Sequence, residues 1–171
     1  NGNNPGAITG DTNFGTTGLN GGFVQVGSSG NPWTGNVTLR DITVNDNTNA
    51  SNPSVAVYTS TGSVTMTDVD VNNADNSASV QVVTNSGNVT LGGVDITDGD
   101  DNHGINVTTN SGTVNINNSS VDNQDDGNAI HVTSNSGNVN LTGIDVDNSG
   151  DGNAVNITTT NGNIALSDTD V

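Results

Sequence analysis

The stretch NAIHVTSNSGNVNLTGIDV, residues 128–146, decides the fold. Its aliphatic residues come in pairs two positions apart: Ile130 and Val132, Val139 and Leu141, Ile144 and Val146. In an extended strand that spacing puts both side chains on one face, so the stretch predicts three short strands, each turning two residues inward. The same text recurs along the chain. Gly62, Gly87, Gly112, Gly137 and Gly162 stand 25 residues apart within STGSVTM, NSGNVTL, NSGTVNI, NSGNVNL and TNGNIAL, and a looser copy reads WTGNVTL at Trp33–Leu39.

Between residues 54 and 171 the repeat offers roughly 30 inward slots, and roughly 28 of them hold Val, Ile, Leu or Met. Ser119 and Thr169 are the exceptions, and Val83 is the aliphatic residue outside the columns. No single coil can bury two residues per strand. Stacking like coils at about 4.8 Å closes the backbone ladders and lines the aliphatic residues up in columns. The expected architecture is all-β: a single-domain parallel β-solenoid of about 25 residues and three short strands per coil, wound right-handed by the crossover rule. Val and Ile, which dominate the columns, suit stacked strands.

Bulk composition points the other way, and placement overrides it. The 171 residues are 29% hydrophobic and 2% aromatic, with a mean hydropathy of -0.40, a profile that alone suggests disorder. A random polar chain would not confine its aliphatic residues to columns. The net charge of -17 comes from 18 acidic residues, all Asp, against the lone Arg40. Such a field repels nucleic acid and anionic lipid, and no apolar run approaches the roughly 18 residues that membrane insertion needs. Divalent cations are the natural counter-ions. Cysteine is absent, so neither disulfides nor thiolate metal sites contribute. The start at Asn1 and the near-absence of tryptic sites fit a processed, exported protein.

The connections repeat as well. The first turn carries the column Asn85, Asn110, Asn135 beside the glycine column, where glycine is expected to supply positive φ. A two-residue corner (TD, GG, NN, TG, SD) joins the second strand to the third. The third connection is the longest and holds DNQDDGN at residues 122–128. Aligned coils put Asp75, Asp100 and Asp125 in one column and Asp101, Asp126 and Asp151 in the next, so like charges would lie about 5 Å apart. Ca2+ would relieve that repulsion through carboxylate and turn-carbonyl oxygens, with Asp98, Asp122 and Asp147 as further ligands. The competing reading is a turn built from Asp, Asn and Gly whose carboxylates stay solvated. A second stripe, Asp70, Asp95, Asp145 and Asp170, interrupted by Ser120, lies on the outer face of the third strand. It reads as a solvated face that discourages sideways aggregation, or as a place for mineral cations.

Residues 1–53 are less regular than residues 54–171. Val24 and Val26, Val37 and Leu39, and Ile42 and Val44 fit the three strand slots, but insertions at GSSGNPW and NDNTNASNP lengthen the turns. Phe14, Phe23, Trp33 and Tyr58 all fall within the first 58 residues. They predict either a cap over the open core or a docking segment for another subunit.

The pattern SGNVTL…VDV…DGNAIHVTSNSGNVNL resembles the repeats of large secreted bacterial or archaeal β-helix proteins, such as filamentous-haemagglutinin-like adhesins and other surface β-strand-repeat proteins, over nearly the whole chain after about residue 23. The resemblance is one of repeat style. It implies surface display and a structural or adhesive role and names no particular ligand; surface glycans or mineral cations are the expected outside partners beside further copies of the chain.

The sequence stops at Val171, an inward position of the third strand, without a capping coil. Joining SDTDV to NGNNPGAITG reads like an internal turn entering another strand, which predicts head-to-tail stacking through Phe14, Phe23, Trp33, Thr169 and Val171. About six coils would give a filament repeat near 30 Å. Enzymatic cleavage of polysaccharide is not expected: Arg40 stands beside Asp41 as a local ion pair, and His103 and His131 read as incidental surface residues. Glycosylation sequons occur at Asn36, Asn49, Asn88, Asn106, Asn117, Asn118, Asn140 and Asn156, about the number that chance gives in so Asn-rich a chain. An outward Thr rank of the kind that binds ice begins at Thr38, Thr65 and Thr90 and is broken by Asn115, Asn140 and Ala165. The expectation is an extracellular, non-enzymatic filament of the cell surface or biofilm matrix, or else a repeat segment of a larger β-helix adhesin.

Overall fold

The computed structural model describes residues 12–20, 23–47, 52–75, 77–100, 102–124 and 126–171, with the backbone alone for residues 12–20, 46, 47, 73–75 and 98–100. Thirteen strands follow one another in the described residues: β1 (Thr12–Asn20), β2 (Val24–Val26), β3 (Val37–Asn47), β4 (Val55–Thr59), β5 (Val64–Asp75), β6 (Val80–Thr84), β7 (Val89–Asp100), β8 (His103–Thr109), β9 (Val114–Asn123), β10 (Asn128–Ser134), β11 (Val139–Asn148), β12 (Val155–Thr159) and β13 (Ile164–Asp170). Odd-numbered strands form a seven-stranded sheet and even-numbered strands a six-stranded one, each in chain order. Every pairing between these strands is parallel, as a chain that alternates between two sheets requires. The result is a parallel β-solenoid of about five turns with roughly 25 residues per coil.

The aliphatic columns meet between the sheets. Leu39, Met66, Leu91, Ile116 and Leu141 succeed one another in register, each 0% exposed. Beside them run Val37, Val64, Val89, Val114 and Val139, also closed to solvent. Burying a Val or Leu side chain stabilises the fold by about 1.5–3 kcal/mol, and here each residue is buried by its counterparts one coil above and one below.

The second and third predicted strands run on as a single bent element, and the bend has one cause. Asp41, Asp68, Gly93, Asn118, Gly143 and Asp168 all have positive φ, between 49° and 64°. They are the second residues of the two-residue corners, and Asp, Asn and Gly are the residues that enter the left-handed region most readily. The expectation that the Gly62–Gly162 column supplies positive φ is therefore corrected. Those glycines are required by stacking: a Cβ on Gly87 would overlap the carbonyl oxygen of Gly62, and one on Gly112 that of Gly87. Within the repeat, positive φ belongs to the corner, and outside it to Gly27 at the end of β2.

The N-terminal strands join the same sheets. In β1, Thr12, Phe14, Thr16 and Leu19 register with Val37, Leu39, Ile42 and Val44, so β1 extends the sheet by one strand. Trp33 is half-buried against the core, bridged to Thr59, and its indole Nε1 is closed to solvent without a hydrogen-bond partner. Among the described residues no helix is long and apolar enough to cross a membrane.

Candidate functional site

The features that could act on something outside the fold are the turns, the histidines and the exposed coil at β12 and β13. In the first turn the side chains bond to the scaffold itself. Thr59, Thr84, Thr109, Ser134 and Thr159 turn inward, and each hydroxyl accepts the backbone N–H of the glycine three residues on, at 3.1, 3.1, 3.1, 2.9 and 3.0 Å. This hydroxyl column was not read from the sequence, because Thr is ordinary on either face of a strand. The constant T/S-x-x-G spacing is the signal that would have revealed it.

Amide side chains bond along the stack. Asn36, Asn88 and Asn138 accept the N–H of Ser63, Thr113 and Asn163 in the next coil at 2.9, 3.0 and 2.9 Å. Asn135 Nδ2 donates to Asn110 Oδ1 at 3.0 Å, and Asn140 Nδ2 to Asn115 Oδ1 at 2.9 Å. Of the sequon asparagines, Asn36 and Asn88 are thus exposed acceptors, Asn106 and Asn156 flank His131 on the outer face, and Asn117 and Asn118 form a corner. Asn49 lies outside the described residues.

The acidic turns do not assemble into a site in the described part of the molecule. Asp122 and Asp147 are register partners, half-buried and exposed respectively, and Asp126 and Asp151 are exposed. Asp101 and Asp125 lie outside the described residues, as do the side chains of Asp98 and Asp100. Among the described residues no three carboxylate or imidazole groups are disposed to hold a metal ion. Beneath the turn, Asn123 is fully buried and its Nδ2 donates to Gly127 O and to Asn148 Oδ1, both at 3.1 Å. The outer acidic stripe does form one register line, Asp70, Asp95, Ser120, Asp145 and Asp170. Thr43 donates to Asp70 at 3.4 Å, and the Ser120 N–H to Asp95 at 3.2 Å.

The histidines are not incidental. His103 and His131 stack with ring centroids 4.8 Å apart and an interplanar angle of 21°. His103 Nδ1 accepts the Asn128 N–H at 3.0 Å, just as Asn128 Oδ1 accepts the Asn153 N–H at 3.0 Å. His103 therefore takes the place of an asparagine in that ladder, which fixes its neutral form with the proton on Nε2. Burial, and then His131, lower the His103 pKa from the ordinary histidine value.

At the last coil the columns open to solvent. Ile164 and Leu166, register partners of the closed Val139 and Leu141, are 47% and 53% exposed, and Val171 is 74% exposed. Thr169 is half-exposed there and donates to Ser167 O at 3.4 Å, the same bond to the corner carbonyl that buried Ser119 makes with Asn117 O at 3.1 Å. Phe23 is 40% exposed ahead of β2, and Phe14 lies on β1 beside Leu39 in register. Comparison with protein families, with curated proteins and with solved structures finds no match to this chain.

Proposed function

We propose that this chain is a structural, non-enzymatic β-solenoid of the cell surface or extracellular matrix, which lengthens by stacking a further coil on its open face. The observation that carries the reading is an exposed aliphatic face: Ile164 and Leu166 occupy columns whose members from β3 to β11 are buried, at the β13 edge of the seven-stranded sheet. Such a surface is matched in spacing and chemistry by another coil of the same kind. The edge at the opposite end of the seven-stranded sheet is β1, which runs parallel to β13. Joined head to tail, copies would continue both the sheet and the columns, and the contact propagates because it does not close. The seven strands of this sheet among the described residues, at about 4.8 Å each, give an axial repeat of about 34 Å, one coil longer than the sequence pattern alone implies.

The turn chemistry supports a scaffold rather than a catalyst, because Thr, Ser, Asn and His side chains of the turns are engaged with the backbone of their own and adjacent coils. A single Arg and no Lys leave trypsin-like proteases one cleavage point, which suits the exterior of a cell. The test is electron microscopy and light scattering of the purified chain. Fibres with a repeat of about 34 Å, dispersed by Ile164→Asp with Leu166→Asp, are expected. A monodisperse monomer at all concentrations would overturn polymerisation and favour the second reading, a repeat segment of a larger β-helix adhesin. That reading rests on the same exposed coil, since an adjoining repeat would cover it equally well.

A further inference from the structure

A groove of about 630 Å³ runs along the stack beside the first turn. One wall is the outward rank of the six-stranded sheet, Tyr58, Val83, Thr108, Thr133 and Thr158, which are neighbours in register from β4 to β12. The other is the turn rank that includes Asn85, Asn110 and Asn135, whose backbone N–H groups each donate to a carbonyl of the coil before. At the Tyr58 end stands the inserted segment Ser28–Pro32, held by the reciprocal backbone bonds of Ser28 and Asn31 at 3.1 Å. This is the GSSGNPW insertion, which the repeat alone leaves without a purpose.

Charge narrows the occupant to a neutral one. The chain carries 18 acidic residues, yet none of the residues lining this groove is charged. A cationic ligand would be drawn to the Asp ranks instead, and an anionic one is repelled by a net charge of -17. A neutral groove whose exposed surface is largely apolar, with the hydroxyls of Thr108, Thr133 and Thr158 and the side chains of Asn85, Asn110 and Asn135 spaced along it at the strand repeat, suits a neutral chain molecule that offers both C–H faces and hydroxyls. The Tyr58 ring and Pro32 add an apolar surface at one end for the C–H face of a sugar ring, while the Tyr58 hydroxyl is held by Gln81 Oε1 at 2.8 Å.

We propose that this groove binds a neutral, linear polysaccharide lying parallel to the solenoid axis, with its end residue against Tyr58 and Pro32. The proposal does not depend on end-to-end stacking. It is tested by calorimetric titration and amide chemical-shift mapping with cellohexaose, chitohexaose and mannohexaose, with a hexamer of galacturonate as the acidic counterpart. At least one neutral hexasaccharide should bind and shift the amides of Thr108, Asn110, Thr133 and Asn135, while the acidic hexamer does not. Thr133→Glu, which places a carboxylate in the groove, should weaken binding by roughly tenfold or more, and Thr90→Glu on the other sheet should leave it unchanged. Circular dichroism of both variants is the check that they fold. No binding by any neutral hexamer at millimolar concentration, binding undiminished in Thr133→Glu, or a groove that responds only to self-association would each overturn the assignment.

Discussion

The coil of β10 and β11 and the coil of β12 and β13 have nearly the same sequence pattern and occupy opposite situations. Val139 and Leu141 are 0% exposed, while Ile164 and Leu166, one coil on and in register with them, are 47% and 53% exposed. Composition does not distinguish these coils. What distinguishes them is whether a neighbour lies on both sides or on one, because in a stacked array each unit draws its stability from its own propensity and from the interface to the next. The sharpest way to break this comparison is the pair Leu141→Ala and Leu166→Ala. Leu141→Ala should cost about 3–4 kcal/mol in chemical denaturation, and Leu166→Ala less than about 1 kcal/mol in the monomer. If stacked assembly covers β13, the Leu166→Ala penalty should rise toward the interior value in the assembled state. Equal penalties in the monomer would contradict the exposure difference.

The glycine column provides a second contrast. An added methyl at Gly112 meets the Gly87 carbonyl, and one at Gly162 meets the Gly137 carbonyl. The collisions are alike, yet the interior one has a coil on each side that must yield. Gly112→Ala is expected to cost about 2–3 kcal/mol and to reduce cooperativity across the array. Gly162→Ala should instead loosen the last coil alone, visible as faster amide exchange at β12 and β13 with the interior protection retained.

Third in size is the hydroxyl column. Thr109 is 3% exposed and accepts the buried Gly112 N–H, so Thr109→Val leaves a donor unsatisfied at a cost of about 1–3 kcal/mol. Thr159 makes the same bond to Gly162 in a half-exposed position, where water replaces the lost acceptor. Thr159→Val should therefore fall below about 1 kcal/mol by the same denaturation measurement.

These contrasts show why the sequence was legible in some places and opaque in others. The Val, Ile and Leu columns were readable because a stacked strand leaves an inward slot little freedom except to be aliphatic, and the period repeats the constraint. Ser119 broke the column visibly, but only the structure shows why it is tolerated: its hydroxyl accepts the Val94 N–H at 3.1 Å and donates to Asn117 O at 3.1 Å. β1 stayed hidden because Thr12, Phe14 and Thr16 occupy slots where aliphatic residues were expected. The glycine column is plain in the sequence but its cause is not, since glycine answers both to positive φ and to close approach. The corner positions alternate between Asp or Asn and Gly, as at Asp68, Gly93, Asn118 and Gly143, and that mixed composition masks a single conformational demand. The groove was invisible because it depends on Tyr58, Thr108 and Thr133, residues far apart in sequence that register alone brings into line.

The smallest predicted effect concerns His103, where a titratable ring stands in an amide ladder. Its pKa is lowered in the fold by burial and then by His131, so the folded state binds its proton less readily than the unfolded chain, whose histidine titrates near about 6.5. The stability that follows is fully present above that unfolded value and is lost as the pH falls through it toward the lowered folded value. Protonation also removes the Nδ1 acceptor of the Asn128 N–H. Between about pH 7 and about pH 5 the melting midpoint should drop. His103→Asn should flatten that drop, because its Oδ1 can accept the Asn128 N–H as Asn128 Oδ1 accepts that of Asn153, without a proton to gain. An Asn variant with the same pH slope as the parent would place the titration elsewhere. A flattened slope with an unchanged midpoint near neutrality would show that this rung of the stack depends on an acceptor at that point, whether imidazole or amide supplies it.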